Sequence, residues 1–321
     1  MKKAIISLII LILIIIGLIL IFNKQTIPIK EEGKITVIAS IYPVYDFAKE
    51  IAGDKANVSM LLSPGVEIHD YEPTPQDMIN IQSADLFLYM SNDLEPWAET
   101  LISGLDNSEN IKTIADGIEL IENEEFEKEY LSSDEDSNHE EHEEHEKYDT
   151  HIWLDPLKAI EMVKNIEKQL SEADPENAQY YKENANRFII QLETLDKDFD
   201  NAIAESSRNE IAFGGPFSYA YFIKRYNLEF VTAYDSCGES GEPSIQKIFN
   251  VIEEIKKENI PVIFYKELSS GNIAKTISEE TGAKLLEFNS LHSITQKQLN
   301  NGETYISIMY KNLENLKRAL K

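Results

Sequence analysis

Apolar positions along the chain fall into several distinct rhythms. The first is a solid run. From Ala4 to Phe22 only Ser7 and Gly17 interrupt the hydrocarbon character, over 19 residues. At about 1.5 Å per residue this run matches the roughly 30 Å apolar thickness of a bilayer. Lys2 and Lys3 ahead of it favour the cytoplasmic side. No small-residue cleavage site and no lipid-accepting cysteine follows Phe22. The run therefore predicts an uncleaved membrane anchor, with a cleaved signal peptide as the alternative, and both place the rest of the chain outside the cytoplasm. Asn23 to Gly33 is polar tether, so residues 1–33 stand apart from the folded part.

The second rhythm is short and β-branched. Lys34 to Ile41 (KITVIASI) reads as a buried first strand. A helix is expected from about Val44 to Ala52, stopped at Gly53. Further strand-like runs are Val58 to Leu62, Leu86 to Met90, Glu229 to Thr232, Val262 to Lys266 and Lys284 to Phe288. Helical patterns lie between most of them, which predicts an α/β chain with parallel sheets covered by helices.

The third rhythm is helical and long. After Asp174, expected as an N-cap with Pro175 in the first helical position, apolar residues recur at Ala178, Tyr181, Ala185, Phe188, Leu192, Leu195, Phe199 and Ala202. Spacings of three and four continue to about Glu205, giving a helix of roughly 30 residues and about 45 Å. It stands between two sheet-forming halves, and a rigid connector of this kind limits hinge opening more than a flexible linker does. The resulting division is a lobe over 34–155, connecting helices over 156–205 and a second lobe over 206–321.

One stretch has no apolar rhythm. Glu122 to Asp149 holds 14 acidic residues against 2 lysines, a net of −12 by subtraction. Such a segment buries too little surface to fold and is expected to be a mobile loop, 122–150, within the first lobe. The whole chain carries 57 acidic against 30 basic residues, a formal net charge of −27. That surface repels phosphate backbones, so nucleic acid is excluded as a partner, while cations are concentrated near it. The single cysteine, Cys237, excludes an intrachain disulfide and a multi-thiolate zinc cluster. Any metal site must be built from His, Asp, Glu and water.

The six histidines carry the most information. His139, His142 and His145 lie in the acidic segment as HEEHEEH, whereas His69, His151 and His292 are solitary. Each solitary one falls in or next to a turn-rich stretch, near a strand end or ahead of a helix. Ligands bind in that region in open parallel sheets. Neutral imidazole is the commonest Zn²⁺ ligand, and three dispersed histidines meeting in a cleft make a plausible coordination shell. No HExxH, nucleophile elbow or P-loop is present, since HEEHEEH spaces its histidines by three. The chain is therefore read as a binding protein and not an enzyme, a zinc hydrolase being the alternative from another class.

The words around these histidines sharpen the reading. They are HDYEPTPQD at His69, ADLFLY followed by Glu95-Pro96-Trp97, HIWLDP at His151, EPS at Glu242, and the C-terminal ETGAKLLEF and ETYISIMYKNLENLKRAL. In these the chain resembles the metal-binding receptors of bacterial and archaeal zinc and manganese ABC importers, over roughly Ile35 to Leu320. The resemblance implies two α/β lobes, each with a four-stranded mostly parallel sheet, bridged by a long helix, with metal held between them. It further implies a protein that captures Zn²⁺ outside the cell and delivers it to a membrane permease and ATPase, and the chain is expected to be a monomer. His69 and His151 are its implied ligands. The His-rich acidic loop before HIWLDP is a zinc-type feature; manganese-type members generally lack it and use more carboxylate.

The pattern breaks at the third ligand. Many relatives place a His or Glu a few residues before a KRYGL-like word, but here the stretch reads GGPFSYAYFIKRYNL, with Pro216 about where the donor is expected. His292, in FNSLHSIT, is then the favoured third ligand. Asp235 and Glu267, near strand ends of the second lobe, are carboxylate candidates for a further position, as is water. His139, His142 and His145 are read as a low-affinity Zn²⁺ collector that weakens below about pH 6.5, where free His protonates. Alternatives are a manganese- or iron-type receptor of the same fold, and a metal-dependent surface adhesin or metal buffer.

Overall fold

Two sets of short β-branched strands build two sheets. The computed structural model describes residues 33–66, 68, 71–93, 95–105, 108–130, 147–234 and 243–321. The first lobe contains β1 (Ile35–Ala39), α1 (Tyr42–Ala52), β2 (Ala56–Met60), α2 (Pro75–Ser83), β3 (Leu86–Tyr89), α3 (Pro96–Ser103) and β4 (Ile111–Thr113). Its sheet is parallel throughout, in the order β2-β1-β3-β4. The second lobe contains β7 (Glu210–Phe213), α7 (Ala220–Tyr226), β8 (Glu229–Thr232), α8 (Ile245–Glu258), β9 (Val262–Tyr265), α9 (Asn272–Thr281) and β10 (Lys284–Glu287). Its sheet is also parallel, in the order β10-β9-β7-β8. The same topology is thus used twice. In each lobe the first and third strands are neighbours, so the chain leaves them in opposite directions and opens a crevice at their carboxyl ends.

The lobes share helices. α5 (Pro156–Ala173) and α6 (Ala178–Ala204) pack on each other, and α6 also packs against α1 of the first lobe and the C-terminal helix α11 (Tyr305–Ala319). The buried face of α6 is Tyr181, Ala185, Phe188, Leu192, Leu195 and Phe199, as its spacing predicts. Its 27 residues make a rod of about 40 Å. One buried apolar cluster runs from Val37 in β1 through α6 to Leu320, so the lobes are joined by core packing rather than by a bare hinge.

Several expectations need correction. The long helix begins at Ala178, because Pro175–Asn177 forms a single 3₁₀ turn. The Asp174 carboxylate does not cap the helix backbone; it accepts bonds from Asn177 Nδ2 and Tyr181 Oη. β4 and β7 do not stand out in the sequence, yet β7 lies inside its sheet, between β8 and β9. The acidic segment is structured at both ends. Ile121–Glu122 (β5) pairs antiparallel with Tyr148–Asp149 (β6), and Asn123–Tyr130 is a helix, α4. One aromatic explains this: Phe126 is buried and stacks on Tyr130, Phe217 and Phe230. The apolar run 4–22, the loop histidines His139, His142 and His145, and Cys237 lie outside the described residues. Among the described residues no helix is long and apolar enough to cross a membrane.

Candidate metal centre

The two long sequence words divide into helix starts and chemistry. In HDYEPTPQD, Thr74 and Asp77 form a reciprocal capping box at the start of α2, with Pro75 in the first turn. In HIWLDP, the Asp155 side chain accepts from Leu157 N–H and Pro156 opens α5. Caps that fix where helices begin also fix the loops ahead of them. His151 to Trp153 lie directly ahead of the second of these caps. His69 itself lies outside the described residues, as do Asp235 and Glu242.

The structure brings His151 and His292 together. Both are buried, and their rings meet edge to face with centroids 4.5 Å apart at 72°. Two imidazoles on one tetrahedral Zn²⁺, with Zn–N near 2.0–2.1 Å, hold their centroids about 5 Å apart. The pair is therefore close to coordinating separation. Trp153 packs against both rings, at 5.4 Å from His151 and 5.5 Å from His292. Its indole N–H donates to the Ser290 carbonyl at 2.8 Å, and its own carbonyl accepts from Tyr305 Oη at 2.5 Å. Trp153 thus pins the His292 loop to the end of the first lobe.

Each histidine is oriented through Nδ1 by a residue two positions earlier. His151 Nδ1 lies 2.9 Å from Asp149 Oδ1, which also accepts the His151 backbone N–H at 2.8 Å. His292 Nδ1 lies 3.0 Å from Ser290 Oγ. Nε2 is the remaining nitrogen of each ring, and both Nε2 atoms are buried. Held this way, the imidazoles present that nitrogen as the prospective donor. Asp149 and Ser290 were not singled out in the sequence, although the signal was present as D-T-H and S-L-H.

Glu267 is placed behind this site. It is buried at the end of β9, and its two oxygens accept from Ser290, Oε1 from the hydroxyl and Oε2 from the backbone N–H, each at 2.6 Å. Burial pushes its carboxyl above the usual range, while neighbouring Lys266 and the two Ser290 bonds oppose that shift. The Gly214-Gly215-Pro216 stretch is closed to side chains at its start. A Cβ on Gly214 would lie 2.6 Å from Ala274 Cα and 2.7 Å from its Cβ. The donor-free sequence there agrees with a turn that must pass close to α9.

First-lobe loops reach the same place. Gly65 N–H donates to Ser293 Oγ at 3.0 Å, which lays the turn just before Ile68 against the His292 loop. Ile68 is itself buried. The β5–β6 hairpin is held from the other lobe by Tyr221, whose hydroxyl accepts from Ile121 N–H at 2.9 Å and donates to the Asp149 carbonyl at 3.0 Å. The strand that returns from the acidic segment is the one that carries Asp149.

Known proteins share this architecture. A domain of AdcA from Streptococcus pneumoniae, described as the Zn(II)-bound ZnuA-like domain, superposes with a TM-score of 0.73 at 30% identity, covering 90% of this chain and 99% of that one. The zinc-binding lipoprotein AdcA of S. pneumoniae R6 is 33% identical over 292 residues, 90% of this chain but 56% of its own length. The present chain thus spans little more than half of that relative. The high-affinity zinc uptake system protein ZnuA of Bacillus subtilis 168 is 34% identical over 288 residues, covering 89% of this chain and 88% of that protein. The sequence model described as "Zinc-uptake complex component A periplasmic" matches residues 37–319, and with the doubled parallel sheets this assigns the chain to the ZnuA family of zinc-uptake components.

Proposed function

We propose that this chain is the extracytoplasmic binding component of an ABC importer, capturing Zn²⁺ between its lobes and delivering it to a permease and ATPase. His69, His151 and His292 are the proposed ligands. One observation carries the reading: His151 and His292, from the end of the first lobe and the far side of the second, are buried edge to face at 4.5 Å with both Nδ1 atoms engaged. An all-imidazole set favours zinc over manganese, which prefers oxygen donors. The relatives' names, zinc-binding lipoprotein and zinc uptake system protein, support the same cargo.

Carrier rather than catalyst fits the carboxylates. Asp149 Oδ1 accepts from His151, and both oxygens of Glu267, behind the pair, accept from Ser290, so these carboxylates support the imidazoles. The N-terminal apolar run is the proposed anchor, with the carrier working as a monomer on the outer face of the cytoplasmic membrane. The test is calorimetry of the full chain with Zn²⁺ against Mn²⁺, paired with growth of the deletion strain under zinc limitation. Tight zinc binding and growth rescue that are both lost in His151→Ala and His292→Ala uphold the reading. Preferential Mn²⁺ binding, or rescue by both variants, overturns it.

A further inference from the structure

Behind His292 the structure holds an oriented chain of hydrogen bonds. Ser290 Oγ stands 2.6 Å from Glu267 Oε1 and 3.0 Å from His292 Nδ1, and its backbone N–H donates to Glu267 Oε2 at 2.6 Å. All three residues are buried. The loop that carries the chain is rigid. Asn289 exchanges two bonds with Asn312 of α11, its N–H reaching Asn312 Oδ1 and its carbonyl accepting from Asn312 Nδ2. Asn289 Oδ1 also accepts from Leu291 N–H at 2.8 Å. Leu291 is held at φ 58°, a left-handed conformation that costs a branched side chain energy and persists where surroundings impose it.

The proton count along this chain has one solution for a carboxylate. Ser290 has a single hydroxyl proton. A carboxylate can only accept, so that proton goes to Glu267 and the Ser290 oxygen must accept from the imidazole. Nδ1 then carries the ring proton, and the lone pair falls on Nε2.

We infer that Glu267 is a positioning residue which, through Ser290, fixes His292 in the Nδ1–H tautomer, the form whose Nε2 can ligate zinc. The inference rests on the zinc-site reading above and assigns Glu267 a role other than ligand. Substitution Glu267→Gln tests it sharply, because an amide has one acceptor and one donor where the carboxylate has two acceptors. With its oxygen on the Ser290 backbone N–H, the amide nitrogen donates to Ser290 Oγ. The hydroxyl proton, no longer held by a carboxylate, turns toward His292 Nδ1, and the ring proton moves to Nε2.

The readout is the imidazole ¹⁵N spectrum of the metal-free full chain, with zinc affinity measured by chelator competition. In the parent, His292 should show a protonated Nδ1 and an unprotonated Nε2. Glu267→Gln should exchange these signatures and weaken zinc binding about 10–100-fold, the range seen when partners behind metal ligands are lost. Ser290→Ala should mix the tautomers with a comparable loss, and Ser290→Thr, which keeps the hydroxyl, should restore both. Should Glu267→Gln fail to fold, the Ser290 pair carries the same test. An unchanged tautomer and affinity in Glu267→Gln or Ser290→Ala, alongside lost binding in His292→Ala, overturns the relay and leaves the zinc site standing. Parent-like binding by His292→Ala overturns the zinc-site reading itself.

Discussion

Asp149 and His151 form a pair in which one carboxylate oxygen takes both the ring Nδ1 and the backbone N–H of the same histidine, at 2.9 and 2.8 Å. Two bonds to one acceptor leave the imidazole little rotational freedom. Ordering energy that a mobile side chain loses on binding metal is already spent in the fold. His292, buried against Trp153 and held by Ser290, is prepared in the same way.

Removing either imidazole should therefore cost most of the site. His151→Ala and His292→Ala are each expected to weaken Zn²⁺ binding by at least about 10–100-fold, taking second-sphere losses as the lower guide. Zinc-induced thermal stabilisation should shrink in step, since it follows RT ln(1 + [L]/Kd). Chelator competition and a melting series with and without zinc check both. A variant whose affinity is unchanged but whose melting temperature falls would mark that histidine as structural.

Much of this architecture was legible in the chain. Six strands announced themselves through β-branched density, and α6 through apolar residues at every third or fourth position. β7 was missed because Glu210 to Phe213 has one β-branched residue and runs directly into Gly214-Gly215-Pro216, which reads as a turn. Solitary histidines beside helix-start words drew attention to His151 and His292, and that the two rings meet is visible only in three dimensions. Ser290 and Asp149 are ordinary polar residues in sequence, and their importance comes from where a ring nitrogen happens to lie. Phe126 and Tyr130 show the limit of composition: two aromatics among acidic residues pack α4 onto Phe217 and Phe230.

Phe126 gives a second prediction. Excising residues 131–146 and joining Tyr130 to Lys147 should leave the proposed zinc site intact and remove any weak stoichiometry due to the three loop histidines. Excising 122–147 instead removes Glu122 of β5, all of α4 and the Phe126 stack. Phe126→Ala alone should cost about 3 kcal/mol, the scale for truncating a buried Phe. Calorimetric stoichiometry reads the loss of weak sites in either excision, and urea unfolding separates the two and measures the Phe126 cost.

Tyr221 supplies a third. Its hydroxyl joins Ile121 N–H to the Asp149 carbonyl across the lobes. Tyr221→Phe keeps the ring and removes both bonds, so a loss of about 1 kcal/mol is expected from leaving partly buried backbone groups unmet. Because Asp149 orients His151, zinc affinity should fall as well, by less than in His151→Ala. Affinity that holds while stability falls would uncouple the hairpin from the metal site.

The end of β7 yields a fourth. Gly214→Ala places a methyl against the Cα and Cβ of Ala274, and backbone cannot move aside as a flexible side chain can. Overpacking of this kind costs about 1–3 kcal/mol. Combining it with Ala274→Gly should recover part of the loss, because the substitution removes the Cβ while the Cα clash remains. Full recovery, or no loss from Gly214→Ala alone, would show that α9 shifts freely.

The last prediction concerns pH and Asp46, which sits in α1 and accepts the Tyr305 backbone N–H at the start of α11, at 2.9 Å. Burial pushes its carboxyl up to about 7; the Tyr305 bond opposes this, Glu50 adds to it and Lys49 subtracts. Between the ordinary carboxylate range and about 7 the folded chain holds a proton on Asp46 that the unfolded chain has released. Stability must therefore fall as pH rises through that window, by up to about 1.4 kcal/mol per pH unit for this group. Buried Glu95 and Asp155, raised to about 8 and about 6, slope the same way. Asp46→Asn keeps an acceptor for Tyr305 N–H and removes the titration. Relative to the parent, the variant should gain stability between pH 5 and pH 8, read from urea midpoints at each pH. A parent and variant whose midpoints run parallel across that range would mean Asp46 ionises alike in the folded and unfolded chain.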